Sequence, residues 1–329
     1  MLTTRFTEMV GCSVPIQQAG MGQLANPELA GAVAKAGGLG LVSVRGMSPE
    51  RIARFLDEAR HRSGGASGGA IGANVLFMDD EDPEEVRGWA RAAAPHARVV
   101  DFFWGTPDSA LVEIVHAGGA LACWQVGSVD AAAAADRAGC DFVVAQGTEA
   151  GGHVQGHIGL LALLDQVLAA VSVPVVAAGG IGSGRAMAAA LAAGAAGVRV
   201  GTRFVAAEEA HAHPTYVQAL IAARPEDSVY TEAFSYGWEH APHRVLRSSV
   251  EAAEAYQGEI VGQRPDHDGG EPTDVHRFAP LAVTDQVTGT IEAMPLWAGE
   301  SVGGVTRVQP AGDIVRELAG EAERFLRVF

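Results

Sequence analysis

The chain has 329 residues, of which 48% are hydrophobic and 6% aromatic, and its formal net charge is −16. A core of this size suits one large domain with an elaboration, and the negative charge argues against nucleic acid or an anionic membrane as a partner. Lys35 is the only lysine, so mechanisms based on a lysine Schiff base have almost no candidate residue.

The N-terminal segment MLTTRFTEMVGCSVP lacks the apolar core of a signal peptide, and no apolar run is long enough to span a bilayer. The cysteines Cys12, Cys123 and Cys140 have no metal-binding or redox spacing. We interpret them as small buried residues in a reducing compartment, and we expect a soluble, cytoplasmic protein.

From Val14 to Thr202 the sequence alternates short apolar runs with Ala-rich helical segments. Several of these segments open with a capping residue or proline and end in glycine, which are helix start and stop signals. Runs that are apolar throughout suit strands covered on both faces of a parallel sheet. The runs are VPIQQAGM, GLGLVSV, IGANVLF, RVVDFFW, ALACWQV, FVVAQG, VPVVAAGG and GVRVGT.

These eight apolar runs, alternating with helical segments, predict an α/β fold of the (β/α)8 TIM-barrel type. A doubly wound open sheet is the alternative, with QQAGMGQLAN imitating its phosphate loop. After Phe204 the alternation stops. We predict a barrel from residues 1–212 and 290–329, and a smaller, mostly helical insertion at 213–289 that covers the barrel mouth.

Two glycine-rich turns follow the last two predicted barrel strands, where barrels commonly bind phosphate. The first, AAGGIGSGRA, contains Gly179 and Gly180, and the second, VRVGTRF, contains Gly201 and Thr202. Glycines leave backbone N–H groups open to an anion, and we expect the helix starting near Ser183 to point its positive end there. Ordinary tight turns are the alternative.

Other predicted strand ends carry amide and thioether groups rather than charges. Such groups suit hydrogen bonds to a flat polar heterocycle, and together with a phosphate site they favour a mononucleotide cofactor, above all a flavin. The residues are Met21, Gly22, Asn74, Gln125 and Gln146.

His153 lies among glycines in the loop QGTEAGGHVQGH, directly after the sixth predicted strand. An imidazole can exchange protons near neutral pH, and the loop contains no lysine or cysteine as a rival. We therefore predict His153 as the catalytic acid–base group. His157 and Glu149 of the same loop are weaker candidates.

Further along the chain, three groups of residues are weaker candidates for a functional site. The histidines of AHAHP and the polar residues of PDHDGG lack a complete ligand set, so no metal is expected. The stretch SYGWEHAPH either lines a substrate pocket or packs the insertion. The residues in these groups are His211, His213, Asp266, His267, Asp268, Tyr236, Trp238 and His240.

Taken together, PIQQAGMG, GANVLF, QGTEAGGH, the long VPVVAAGGIGSGRAMAAALAAGAAGVRVGTRF and the late PLWAGESVGGV resemble the nitronate monooxygenases, which are FMN-dependent barrel enzymes. The resemblance implies that His153 is the catalytic histidine. It also implies FMN contacts from Asn74, Gln146, Gly151, Gly180, Gly201 and Thr202, with Met21 and Gly22 near the isoalloxazine. Many relatives carry a lysine where this chain has Gln125.

The resemblance implies oxidation of an alkyl nitronate, or of a nitroalkane, by O2 to a carbonyl compound and nitrite. FMN-dependent enoyl-ACP reductases share the fold and much of the EAGGH loop, and are the main alternative. A barrel isomerase or aldolase without flavin is a further one. The expected partners are a small-molecule nitronate and O2, and a homodimer is an open expectation.

Overall fold

Eight parallel strands close into a barrel in a computed structural model that describes residues 2–65, 69–78, 80–266 and 270–327. The ring order is β1-β2-β3-β4-β5-β6-β8-β9. In chain order the strands are β1 (Ile16–Gln18), β2 (Leu39–Ser43), β3 (Ala70–Leu76), β4 (Val99–Phe103), β5 (Leu121–Val126), β6 (Phe142–Gln146), β7 (Gly152–His153), β8 (Val175–Ala178), β9 (Gly197–Val200), β10 (Ser228–Thr231), β11 (His243–Leu246), β12 (Ile260–Arg264), β13 (Thr273–His276) and β14 (Thr288–Gly289). The TIM-barrel prediction is confirmed.

The helices begin where the sequence carries capping residues. Asn26, Ser48 and Ser183 each accept a backbone N–H in the first turn of the helix that they precede. The helices are α1 (Arg5–Val10), α2 (Pro27–Lys35), α3 (Pro49–Ser63), α4 (Pro83–Ala93), α5 (Ser109–Ala117), α6 (Val129–Ala138), α7 (Leu160–Ala170), α8 (Gly184–Ala192), α9 (Thr202–Val205), α10 (Pro214–Ala222), α11 (Arg247–Ala255) and α12 (Ala311–Leu326).

The C-terminal helix α12 completes the outer ring of helices. It packs against α8 on one side and α2 on the other, which is the position of the eighth helix of a (β/α)8 barrel. Its inward face buries Ile314, Val315 and Leu318. The chain therefore returns to the barrel after the segment at 213–289.

The barrel interior has an apolar floor and a polar upper part. Leu41, Val99, Val144 and Val176 belong to the floor, which Phe6 of α1 closes from below. Above them lies a set of buried polar side chains that we call the polar layer: Gln17, Asn74, Asp101, Gln125, Gln146 and Arg199. The polar layer faces the end of the barrel where TIM-barrel active sites form.

The segment at 213–289 corrects the expectation of a mostly helical insertion. It contains the two helices α10 and α11, but also the five strands β10 to β14. Two of these strands form a sheet of order β10-β11-β7 with the barrel loop, and three form a second sheet of order β13-β12-β14. These strands have two to five residues and depend on distant partners, so local periodicity gives no sign of them.

Candidate functional site

His153 is held at the barrel mouth by pairing with the insertion. The two-residue strand β7 runs antiparallel to β11, with His153 opposite His243 and Gly152 opposite Arg244. On the barrel side, the Gln146 side-chain amide donates to the His153 carbonyl oxygen over 2.9 Å. The predicted catalytic residue thus joins barrel and insertion.

Three tryptophan rings, which we call the indole wall, surround the His153 imidazole. Trp238 stacks on it with 4.1 Å between ring centroids and 29° between planes. Trp297 lies 5.2 Å away and Trp104 6.0 Å away by the same measure. Burial lowers the pKa of His153 to about 3, and the nearby His243 acts in the same direction. The imidazole is therefore neutral near pH 7.

The neighbouring His243 is also neutral, and its hydrogen bonds fix its tautomer. Its Nε2 accepts from the Phe234 backbone N–H over 3.2 Å, so the proton lies on Nδ1, which donates to the Ala241 carbonyl over 2.9 Å. Burial is the main cause that lowers the pKa of His243. The site therefore places a neutral imidazole pair beside aromatic rings, with no cation on either histidine.

An ion pair crosses the barrel within the polar layer. The Arg199 Nη2 lies 2.5 Å from the Asp101 Oδ1, and the side chains are 4% and 0% exposed. Arg199 also donates from Nη1 to the Gln125 Oε1 and from Nε to the Gln17 Oε1. The Asn74 Nδ2 donates to the other oxygen of Asp101 over 2.8 Å. Two of the predicted cofactor residues, Asn74 and Gln125, are thus bound to this pair.

Three polar atoms at the site are buried without a hydrogen-bond partner in the described part of the chain: the Gln146 Oε1, the Gln17 Nε2 and the His153 Nε2. A buried polar group without a partner costs free energy. Such groups in a native structure indicate a ligand or water that completes them. The barrel mouth therefore suits a ligand with a polar edge.

The predicted glycine turns come together beside this mouth. Gly179 and Gly180 both have positive φ, +110° and +69°, a conformation that glycine adopts without strain. A Cβ on Gly179 would lie 3.1 Å from the Gly147 carbonyl oxygen, and one on Gly151 would lie 2.4 Å from the Gly299 nitrogen. The loop after β6 is therefore packed backbone against backbone on the loop after β8 and on the segment at Gly299, and the Thr202 side chain of the loop after β9 lies beside it.

A fourth loop, at residues 297–301, completes this cluster and was not among the predicted site residues. The Gly299 N–H donates to the Thr202 Oγ1 over 3.1 Å. A Cβ on Gly299 would lie 2.5 Å from the Glu149 carbonyl oxygen. The sequence signal for this loop is the WAGES stretch, which carries part of the family resemblance but does not by itself predict a contact.

The start of α8 contributes less to this cluster than the sequence suggested. The Gly184 N–H donates to the Glu321 carboxylate over 2.7 Å, and the Ala186 N–H donates to the Ser183 hydroxyl over 3.2 Å. These two N–H groups are not free for an anion. The N–H groups of the glycine turns remain the better candidates for a phosphate.

Glu149 has a local structural role. Both of its carboxylate oxygens lie 3.0 Å from the Leu160 nitrogen, and Gly159, the cap residue of α7, has no side chain to offer. Glu149 therefore caps α7 from a distance. His157 lies near the Tyr230 hydroxyl, 3.5 Å from its oxygen, and forms no ring contact with His153.

The remaining candidates are scattered. Met21 packs against both the barrel core and the insertion core, and Gly22 has a φ of +56°. His213 caps α10 by accepting from the Thr215 N–H, and Tyr236 stacks on His276. Asp266 is exposed near the end of β12, whereas His267 and Asp268 lie outside the described residues.

The described residues contain no cluster of three or more His, Cys, Asp or Glu side chains suited to a metal ion. No helix among them has the length and apolar character needed to cross a membrane.

The chain is similar to known proteins over nearly its whole length. A family model described as nitronate monooxygenase matches residues 3–321. A probable nitronate monooxygenase of Staphylococcus aureus (strain JH9) is 26% identical over 365 residues, with 98% of each chain covered.

Two solved structures share the fold along both chains. FabK from Thermotoga maritima is 27% identical with a TM-score of 0.80, over 100% of this chain and 98% of FabK. A nitroalkane oxidase from Streptomyces ansochromogenes is 28% identical with a TM-score of 0.77, over 98% of this chain and 99% of that one.

Proposed function

Because the chain belongs to the nitronate monooxygenase family, we propose that it is an FMN-dependent oxidoreductase that converts alkyl nitronates and O2 into a carbonyl compound and nitrite. The observation that carries the proposal is the neutral His153 imidazole enclosed by the indole wall above the polar layer. Such a site is largely aromatic and offers a hydrogen bond to an oxygen anion without a competing charge.

The residues at the barrel mouth fit FMN. The phosphate would lie against the backbone N–H groups of Gly179, Gly180, Gly201 and Gly151, with Thr202 beside them. The ring system would lie over Asn74, Gln125 and Gln146, near Met21 and Gly22. The unpaired Gln146 Oε1 and Gln17 Nε2 support this placement, because the polar edge of a flavin offers partners to both. Bound FMN would accept electrons from the substrate and pass them to O2.

His153 acts in this proposal by positioning the substrate. An imidazole whose pKa is about 3 is a poor proton acceptor near neutral pH. Its unpaired Nε2 can carry the proton and donate a hydrogen bond to a nitronate oxygen. The site therefore favours a nitronate that arrives already deprotonated over a neutral nitroalkane that must lose its α-proton here.

We also propose that residues 213–289 cover the substrate side of the barrel, which residues 1–212 and 290–329 form. They supply Trp238 of the indole wall, together with His243. Trp297, from the returning chain, is fixed by its indole N–H, which donates to the Leu281 carbonyl over 2.7 Å. The apolar wall suits the alkyl part of a nitronate.

The test begins with the visible spectrum of the freshly purified protein, which should show bound flavin. Anaerobic addition of propyl-2-nitronate should then reduce it, and aerobic turnover should release nitrite. His153→Asn should keep the flavin and lose most of the nitrite release, whereas His157→Asn, on the same loop, should retain it. Undiminished nitrite release by His153→Asn contradicts the proposed role.

The second candidate is NAD(P)H-dependent reduction of an enoyl thioester, which the resemblance of the EAGGH loop to that of the FMN-dependent enoyl-ACP reductases favours. Under anaerobic conditions, rapid bleaching of the flavin by NADH with no response to the nitronate would select it. Reduction of the flavin by the nitronate and not by NADH would select nitronate oxidation.

A further inference from the structure

The Arg199–Asp101 pair occupies an unusual position in the barrel. The two residues come from β9 and β4, which stand opposite each other in the closed ring of eight strands. The pair therefore bridges the lumen instead of linking neighbouring strands. It lies in the same layer as Asn74, Gln125 and Gln146, the residues proposed to face the cofactor ring.

Net stabilisation is a weak explanation for such a pair. Removing two charges from water costs about as much as their attraction returns, and apolar replacements of a buried ion pair are often neutral or stabilising. The pair nevertheless makes hydrogen bonds to three side-chain amides, those of Gln17, Gln125 and Asn74. Its chemistry decides how those amides are oriented.

A guanidinium group only donates hydrogen bonds, so an amide beside it must present its oxygen. Gln125 does so, which leaves its Nε2 available as a donor. Among the residues that the structure describes, this nitrogen has no hydrogen-bond partner, and unlike the Gln17 Nε2 it is not sealed from solvent. Gln125 therefore offers an N–H donor to whatever lies above it.

The Asp101 carboxylate imposes the opposite orientation on Asn74. Paired with Arg199 it only accepts, so the Asn74 Nδ2 must face it. The Asn74 Oδ1 then points away and accepts from the Ser43 hydroxyl over 3.3 Å. A carbonyl oxygen has two lone pairs, so Asn74 retains an acceptor for a ligand.

We propose that the Arg199–Asp101 pair fixes the donor–acceptor pattern that the barrel presents to the cofactor ring, with Gln125 as donor and Asn74 as acceptor. Arg199 and Asp101 are thus positioning residues. This inference rests on the proposed FMN site. The pyrimidine edge of a flavin alternates acceptor oxygens with an N–H donor, which is the class of ligand that such a pattern recognises.

The main experiment removes the pair as a unit. The double variant Asp101→Leu/Arg199→Met replaces both charges by apolar groups and should keep the fold, while Gln125 and Asn74 become free to rotate. FMN is titrated into the wild-type and variant apoproteins, and the midpoint potential of the bound flavin is measured. We expect FMN binding about 10-fold weaker, the size of one lost hydrogen bond. The potential should become more negative, because the oriented Gln125 donor no longer stabilises the reduced ring.

A double-mutant cycle identifies the route of the effect. If Arg199 acts through Gln125, then Gln125→Leu should weaken FMN binding in the wild type and change it little in the double variant. Equal effects of Gln125→Leu in both backgrounds would overturn the proposal, as would wild-type affinity and potential in the double variant. If the double variant does not fold, Arg199→Lys replaces it. A lysine keeps the charge but cannot bond to Gln17, Gln125 and Asp101 in the same geometry, so Arg199→Lys with wild-type affinity and potential also overturns the proposal.

The same titration separates this proposal from the proposed function. Wild-type apoprotein that fails to bind FMN contradicts the proposed cofactor, whatever the variants do. Wild-type protein that binds FMN, together with a folded double variant of unchanged affinity and potential, contradicts only the orienting role of Arg199 and Asp101.

Discussion

The Trp238 indole covers one face of the His153 imidazole, with 4.1 Å between the ring centroids. Trp238 belongs to a turn that is otherwise exposed, since Tyr236 two residues earlier is 53% exposed. A side chain from a surface turn thus covers one face of the predicted catalytic imidazole, in a residue that is half-buried as a whole. We expect this cover to contribute to the low pKa of His153.

Trp238→Ala should raise the pKa of His153 toward its ordinary value, because water then reaches the imidazole. The measurement is an NMR titration of protein with labelled histidine, with His153→Asn identifying the resonance. Tyr236→Ala is the matched control, because Tyr236 lies in the same turn but stacks on His276. A pKa that stays low in Trp238→Ala would mean that the other rings suffice.

Acid should destabilise the protein partly through His153. Its folded pKa is about 3 against an ordinary value of 6.5, so between these pH values the unfolded chain binds a proton that the folded chain does not. Stability contributed by the neutral imidazole is thus complete above pH 6.5 and is lost as the pH falls toward 3. The loss in unfolding free energy between pH 7.5 and pH 4.5 should be smaller in His153→Asn by about 2 kcal/mol. Equal losses in urea denaturation would refute this.

Glu149→Ala should destabilise the protein by about 1 kcal/mol, the typical worth of a helix cap. The reason is that the Leu160 N–H at the start of α7 loses its acceptor. Urea denaturation measures the effect, with Glu300→Ala as the comparison, because Glu300 is in a neighbouring loop and pairs with Arg244. Nitrite release per bound flavin should change little, in contrast to the effect of His153→Asn.

Gly299→Ala should weaken FMN binding by at least about 10-fold, because a 2.5 Å approach of the new Cβ to the Glu149 carbonyl must push the loops apart. Gly320→Ala in α12 is the control, since a Cβ there has nothing within 4 Å. It should bind FMN normally and be stabilised by about 0.5–1 kcal/mol. Both variants are measured by FMN titration and thermal unfolding. Normal FMN affinity in Gly299→Ala would contradict the proposed phosphate site at the glycine turns.

Much of the barrel is readable from the sequence because its signals are local. Caps such as Asn26 and Ser183, and fully apolar strands, identify each strand–helix unit without knowledge of its neighbours. Eight such units in succession then predict that the strands close into a (β/α)8 barrel. The polar strand ends at Asn74, Gln125 and Gln146 follow from the same reading, because the strand ends of a parallel barrel meet at one mouth.

The features that the sequence does not predict depend on distant contacts. Asp101 and Arg199 each stand out as one charged residue in an apolar strand, but only closure of the ring brings them together. The pairing of β7 with β11 involves two residues on one side, so no periodic pattern marks it. The strands of the insertion have no local sequence signal for the same reason.

The position of α12 sets the order in which the molecule can be completed during synthesis. The last barrel strand ends at Val200, but the helix that fills the gap between α8 and α2 in the outer ring begins only at Ala311. The whole segment between Val200 and Ala311 must therefore be synthesised before α12 can cover that side of the barrel. Until then the nascent barrel has an open apolar side, where a chaperone would be expected to bind.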